Sequence, residues 1–134
     1  MYELAQHTAD VRLLVSAASL EELFRDAVRG MYAVMRGAPA PDARRVERII
    51  TVEDSADRTA LLVDFLNELL HRAHVAREMF DEVIFTRLDD VTLQATVTGL
   101  APATFDEDVK AVTYHEADVH ERENVWHTTL VLDI

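Results

Sequence analysis

The spacing of apolar residues changes along the chain, and each change marks an element. From Leu4 to Val15 the pattern is extended, with an interruption near His7-Thr8-Ala9. Val11, Leu13 and Val15 alternate with Arg12 and Leu14, as in a mostly buried strand. Ser19 and Glu22 then stand at capping-box spacing. Leu20, Leu23, Phe24, Ala27, Val28, Met31 and Met35 follow at steps of three and four. That repeat predicts a helix running to about Met35 with one apolar face, while Glu21, Arg25, Asp26 and Arg29 fall mostly on the other side.

Gly37-Ala38-Pro39-Ala40-Pro41 breaks any periodicity and reads as a loop. Arg44 to Glu53, rich in β-branched residues, reads as a strand. Ser55 or Asp57 can cap a second helix, whose apolar positions are Leu61, Leu62, Phe65, Leu66, Leu69, Leu70 and Ala73. From Met79 the period falls to two. Val83-Ile84-Phe85 lie in one strand and Asp89-Asp90 make a hairpin turn. Val91, Leu93, Ala95 and Val97 then alternate with Gln94 and threonines. Gly99 is expected to end that strand, and residues 101–108 to form a loop. Lys110 to His120 and Val125 to Ile134 close the pattern as an antiparallel pair, joined near Glu121-Arg122-Glu123-Asn124. The order β-α-β-α followed by a run of strands predicts an α+β fold. Two amphipathic helices pack on a largely antiparallel sheet, in one domain spanning residues 1–134.

Composition narrows the classes of function. Apolar residues make up 49% of the 134, enough to bury a core. The absence of cysteine excludes a disulfide scaffold and a thiolate metal site, and fits a reducing compartment. No apolar run approaches bilayer length, and Met1-Tyr2-Glu3-Leu4 lacks the basic start and apolar stretch of a signal peptide. A cytoplasmic protein with no membrane partner is expected. The net charge of −12 disfavours direct contact with nucleic-acid phosphates and suits docking on a basic protein. The plainer reading is that acidity serves solubility. Lys110 is the only lysine.

Enzyme signatures are missing. The sequence has no Walker loop, G-x-G-x-x-G, G-x-S-x-G or H-E-x-x-H, and no serine has a histidine in a recognisable frame. With three glycines in all, a phosphate-cradling loop is not expected. Two places remain for chemistry: Gln6-His7-Thr8-Ala9-Asp10 and Leu132-Asp133-Ile134. Asp133 offers a side-chain carboxylate next to the main-chain carboxylate of Ile134. If the first strand lies near the last, Asp10 adds another oxygen, and the group suits Mg²⁺, Ca²⁺ or Mn²⁺. Against this, an Asp at a strand end is ordinarily solvated or capping. His7 is a turn-stabilising residue, a ligand or a base. His71 and His74, three apart near a helix end, complement the helix dipole or bind metal. His115, His120 and His127 show no fixed spacing and stay unassigned. Trp126 is core or a partly exposed packing residue, and Met31 and Met35 are core. Lys110 is expected to form a salt bridge with Asp106, Glu107 or Asp108, the alternative being contact with phosphate or a partner carboxylate.

The block His7-Thr8-Ala9-Asp10-Val11 resembles the N-terminal signature of the archease family. Ser19-Leu20-Glu21-Glu22-Leu23-Phe24 is similar to the start of that family's first helix, and Leu66-Asn67-Glu68-Leu69-Leu70 sits where its second helix lies. Val109-Lys110-Ala111-Val112-Thr113-Tyr114 resembles the second signature and Val131-Leu132-Asp133-Ile134 the characteristic ending. The matches run in order over nearly the whole chain. Gln6 departs from the pattern, since the family usually has an acidic residue there. The resemblance implies an accessory protein of an RtcB-type RNA ligase in tRNA splicing or RNA repair. Such a protein promotes ligase guanylylation and multiple turnover, carries out no reaction itself and meets RNA only through the ligase. It implies a divalent metal held by Asp10 and Asp133, with the Ile134 carboxylate as a further donor, and partner or nucleotide contacts at His7 and Lys110. The competing readings are a general chaperone or assembly module, and a small metal-dependent hydrolase with His7 as base.

Overall fold

The computed structural model describes residues 2–4 and 10–134. In chain order the elements are β1 (Tyr2–Leu4), β2 (Asp10–Ala17), α1 (Leu20–Met35), β3 (Gly37–Val52), α2 (Arg58–Ala76), β4 (Met79–Leu88), β5 (Leu93–Phe105), β6 (Ala111–Thr113), β7 (His120–Arg122) and β8 (Val125–Asp133). The α+β expectation holds, but the strands form two antiparallel sheets rather than one. The first runs β1-β2-β8-β6, with β7 also on β8; the second runs β3-β5-β4.

Both helices begin where the sequence places caps. The Ser19 side chain accepts from the Glu22 amide at 3.1 Å, and Asp57, not Ser55, caps α2 by accepting from the Ala60 amide at 2.8 Å. Glu22 does not complete the capping box, because its carboxylate takes a 2.6 Å bond from Arg25. Ser55 instead donates to Asp64 at 2.8 Å. Ser19→Ala or Asp57→Ala leaves an orphan helix amide and should cost about 1 kcal/mol in urea unfolding. An unchanged midpoint would mean that water serves these amides equally well.

Apart from half-buried Leu20, the periodic positions of both helices are buried, and their apolar faces meet a common core. Phe24 from α1, Phe65 from α2 and Phe85 from β4 cluster with ring centroids 6.1–6.4 Å apart. Helix α1 lies against β2 and β4, and α2 against β5 and β6, so the helices tie the two sheets together.

Three expectations, two about loops and one about the closing strands, are corrected. Residues 37–41 belong to β3. Strand β3 is the outer strand of its sheet, where a proline's missing N–H leaves no ladder bond broken on the open side, and the register shifts between Pro39 and Arg44. Strand β5 runs through Gly99 to Phe105, because Gly99 pairs with Val46 on one side and Phe80 on the other. The closing pair is split: β6 pairs with the Val131–Asp133 end of β8 and β7 with the Val125–His127 end. Glu123 and Asn124 turn β7 into β8 with φ of 54° and 65°, the left-handed pair that a two-residue hairpin uses.

Candidate functional site

Strands β2 and β8 pair in a register fixed by their buried face. Val11, Leu13 and Val15 point into the core, as do Leu130 and Leu132, and a slip of one residue would turn all of them to solvent. With Val11 set opposite Leu132, Asp10 stands opposite Asp133 at the end of the ladder. Directly opposed residues share a sheet face with Cβ atoms roughly 4.5–5.5 Å apart. Two carboxylates separated by more than a hundred positions in sequence therefore project side by side. Strand β6 brings in the third segment. Ala111 is in register with Asp133, and the Lys110 amide donates to the Asp133 carbonyl at 2.7 Å. Asp133 and Lys110 are exposed, Asp10 is half-buried, and Ile134 is half-buried with its side chain packed on the core.

Of the residues singled out in the sequence, this corner unites Asp10, Asp133, Ile134 and Lys110. His7 lies outside the described residues, as does Gln6. The salt bridge expected between Lys110 and its acidic neighbours is not among the ion pairs of the described residues. Asp108 instead lies 3.8 Å from His74 Nε2, and the Glu107 amide donates to the Met35 carbonyl at 3.1 Å. The Lys110 ammonium is thus presented at the surface.

Among the described residues the corner offers only oxygen donors, which suits a hard cation. Among the described residues no group of three or more His, Cys, Asp or Glu side chains converges as a metal site. Two carboxylates plus the main-chain oxygens of Ile134 fit an ion that keeps several of its waters, as Mg²⁺ does, better than one enclosed by protein. The residues present fit a divalent cation on those terms.

The other candidates have separate places. His74 Nε2 donates to the Val109 carbonyl at 2.9 Å, so this histidine holds backbone and is more than a dipole complement. His120 and His127 are register partners with rings stacked at 5.6 Å. Trp126 is half-buried under the Arg58 guanidinium at 5.1 Å, and Met31 and Met35 are buried. Sequence reading gave no role to Asn67. Its side chain exchanges two hydrogen bonds with Val112: the Val112 amide donates to Oδ1 at 2.9 Å and Nδ2 donates to the Val112 carbonyl at 2.8 Å. The available signal was an asparagine, a poor helix former, among the leucines of α2. Asp64 was also missed; it accepts from both Ser55 and the Tyr114 hydroxyl, and the Tyr114 bond raises the phenol above its ordinary pKa.

Fold and corner together define a small two-sheet, two-helix α+β protein with paired carboxylates and a surface lysine at one end of its first sheet. The Archease protein family model matches residues 2–134, and the chain belongs to the archease family. It is 28% identical to the protein archease of Methanosarcina mazei, covering 99% of this chain and 95% of that one. It is 31% identical to that of Methanothermobacter thermautotrophicus, over 99% and 98%. Its fold matches the crystal structure of a Thermotoga maritima archease, described as a "possible chaperone", with a TM-score of 0.70 over 100% of this chain and 98% of that one at 20% identity.

Proposed function

We propose that this chain is an accessory protein of an RtcB-type RNA ligase, promoting ligase guanylylation and multiple turnover without catalysing a reaction of its own. Family membership supports the class. The observation that carries the site is the register of Asp10 against Asp133, with the Lys110 amide on the Asp133 carbonyl. Asp10 and Asp133 bind the divalent cation, and the main-chain oxygens of Ile134 add a further donor. When bound, the cation supplies positive charge that offsets the charge of a phosphate group. Lys110 reaches either the same phosphate or a carboxylate of the partner. The net charge of −12 speeds encounter with a basic ligase and keeps RNA contact indirect, through that partner. The setting proposed is the cytoplasm; among the described residues no helix is long and apolar enough to cross a membrane.

The test is RNA joining by the cognate ligase with GTP and a divalent ion, with and without this protein. Many products per ligase with it, against about one without, is the expected result; equal yields from an active ligase would overturn the reading. The description of the Thermotoga maritima relative favours a second reading, a chaperone for proteins at large. That reading requires suppressed aggregation of unrelated clients and indifference to changes at Asp10 and Asp133.

A further inference from the structure

The segment that carries Lys110 is gripped from both sides. On one side lies β8, through the Lys110 amide and the Asp133 carbonyl at 2.7 Å. On the other lies α2. Asn67 and His74 stand seven residues apart on that helix, close to two turns, and so face the same way. His74 Nε2 donates to the Val109 carbonyl at 2.9 Å, and Asn67 takes both polar groups of the Val112 backbone at 2.8 and 2.9 Å. A residue at the edge of a sheet has an N–H and a C=O pointing away from its partner strand, where a further strand would exchange both bonds with it. Val112, in register with Leu132, is such a residue, and the Asn67 carboxamide occupies the place of that further strand. The Val109 side chain is fully buried and that of Val112 nearly so, at 0% and 2% exposure. The residues between them, Lys110 and Ala111, carry no such anchor of their own on the helix side. Their place is set by what holds their neighbours.

We propose that Asn67 and His74 are positioning residues that act through Lys110. By clamping Val109 and Val112 from α2, they hold the lysine at a fixed place beside the Asp10–Asp133 pair. A lysine has a long, flexible stem, so its reach to a ligand is only as definite as the backbone from which it starts. The part played in ligase stimulation rests on the function proposed above; the clamp itself does not.

Two measurements test this on the full chain. The first is amide hydrogen exchange with ¹⁵N relaxation by NMR. Asn67→Leu and His74→Leu should each loosen residues 109–112. Exchange of the Lys110 amide should quicken by on the order of tenfold or more, while the Val11 and Leu132 amides stay as they were. Unchanged exchange at Lys110 in both variants would overturn the clamp. If Asn67→Leu does not fold, His74→Leu, with its exposed ring, decides the matter alone. The second measurement is ligase stimulation in a double-mutant cycle with Lys110→Ala. Each clamp variant should lose on the order of tenfold or more. Added to Lys110→Ala, neither should lose anything further, because both act through the residue already removed. Losses that multiply would show a merely structural role and sink the proposal. Should the wild-type protein fail to stimulate the ligase at all, the function falls, and the exchange data still settle the clamp.

Discussion

Asp133→Ala is expected to give a folded protein that no longer supports repeated RNA joining by its ligase. The side chain is exposed, so unfolding in urea should shift by less than about 1 kcal/mol. The effect on function should be far larger. Removing one of the two side-chain carboxylates should weaken divalent-ion binding on the order of a hundredfold or more, since even the outer partners of metal ligands are worth roughly ten- to a hundredfold. Asp10→Ala should lose cation affinity and ligase stimulation in the same way, because the two carboxylates face each other across the ladder. Stability and cation affinity are read separately, by urea unfolding and by titration calorimetry with Mg²⁺ or Mn²⁺. A folded Asp133→Ala protein with undiminished cation affinity and stimulation would end the carboxylate-metal reading. Loss of both together with a collapsed fold would make Asp133 a structural residue instead.

Gly99→Ala should cause a large loss of stability. A Cβ at Gly99 would lie 1.9 Å from the Met79 carbonyl oxygen and 2.6 Å from the Phe80 Cα. Both are backbone atoms, which cannot rotate out of the way as a side chain can. Gly99 lies in the middle strand of the second sheet, and β4 changes register between Phe80 and Glu82 just beside it. The added methyl must therefore prise β4 from β5 where the ladder is already irregular. A cost of about 3–5 kcal/mol is expected, at or beyond the usual range for overpacking. Unfolding in urea measures it directly; a loss below about 1 kcal/mol would mean that the Met79 backbone can move aside freely.

Much of this architecture was written in the apolar spacing. From Leu23 on, the positions at three- and four-residue steps in α1 and α2 are buried, because a helix with one apolar face has only one way to cover it; Tyr32, Val34 and Val63 join them from outside that repeat. The strands were harder to bound. Pro39, Pro41 and Gly99 carry the local chemistry of turns, yet all three lie inside strands. At an outer strand a missing donor is harmless, and in the middle of a sheet a missing Cβ is what lets a neighbouring backbone approach. Both are tertiary circumstances that local sequence does not record. The same divide holds at the site. Asp10 and Asp133 stood out as an aspartate near each end of the chain, but their pairing depends on register. Asn67 had no signal beyond an awkward residue in a helix, because its partner is a backbone on a distant edge strand.

Strand β3 carries a consequence for behaviour at high concentration. An outer strand running from Gly37 to Val52 displays a long row of unpaired polar backbone groups, a template on which a second molecule could lay down a strand and begin a fibre. Pro39 and Pro41 remove donors from its first part, and the shift before Arg44 interrupts the ladder. Over residues 44–52 the edge carries the exposed charged side chains of Arg44, Arg45 and Glu47, of the kind that discourages a further strand. The two prolines that hid the first part of this strand from a reading of its sequence thus also blunt that part as a template for a second chain.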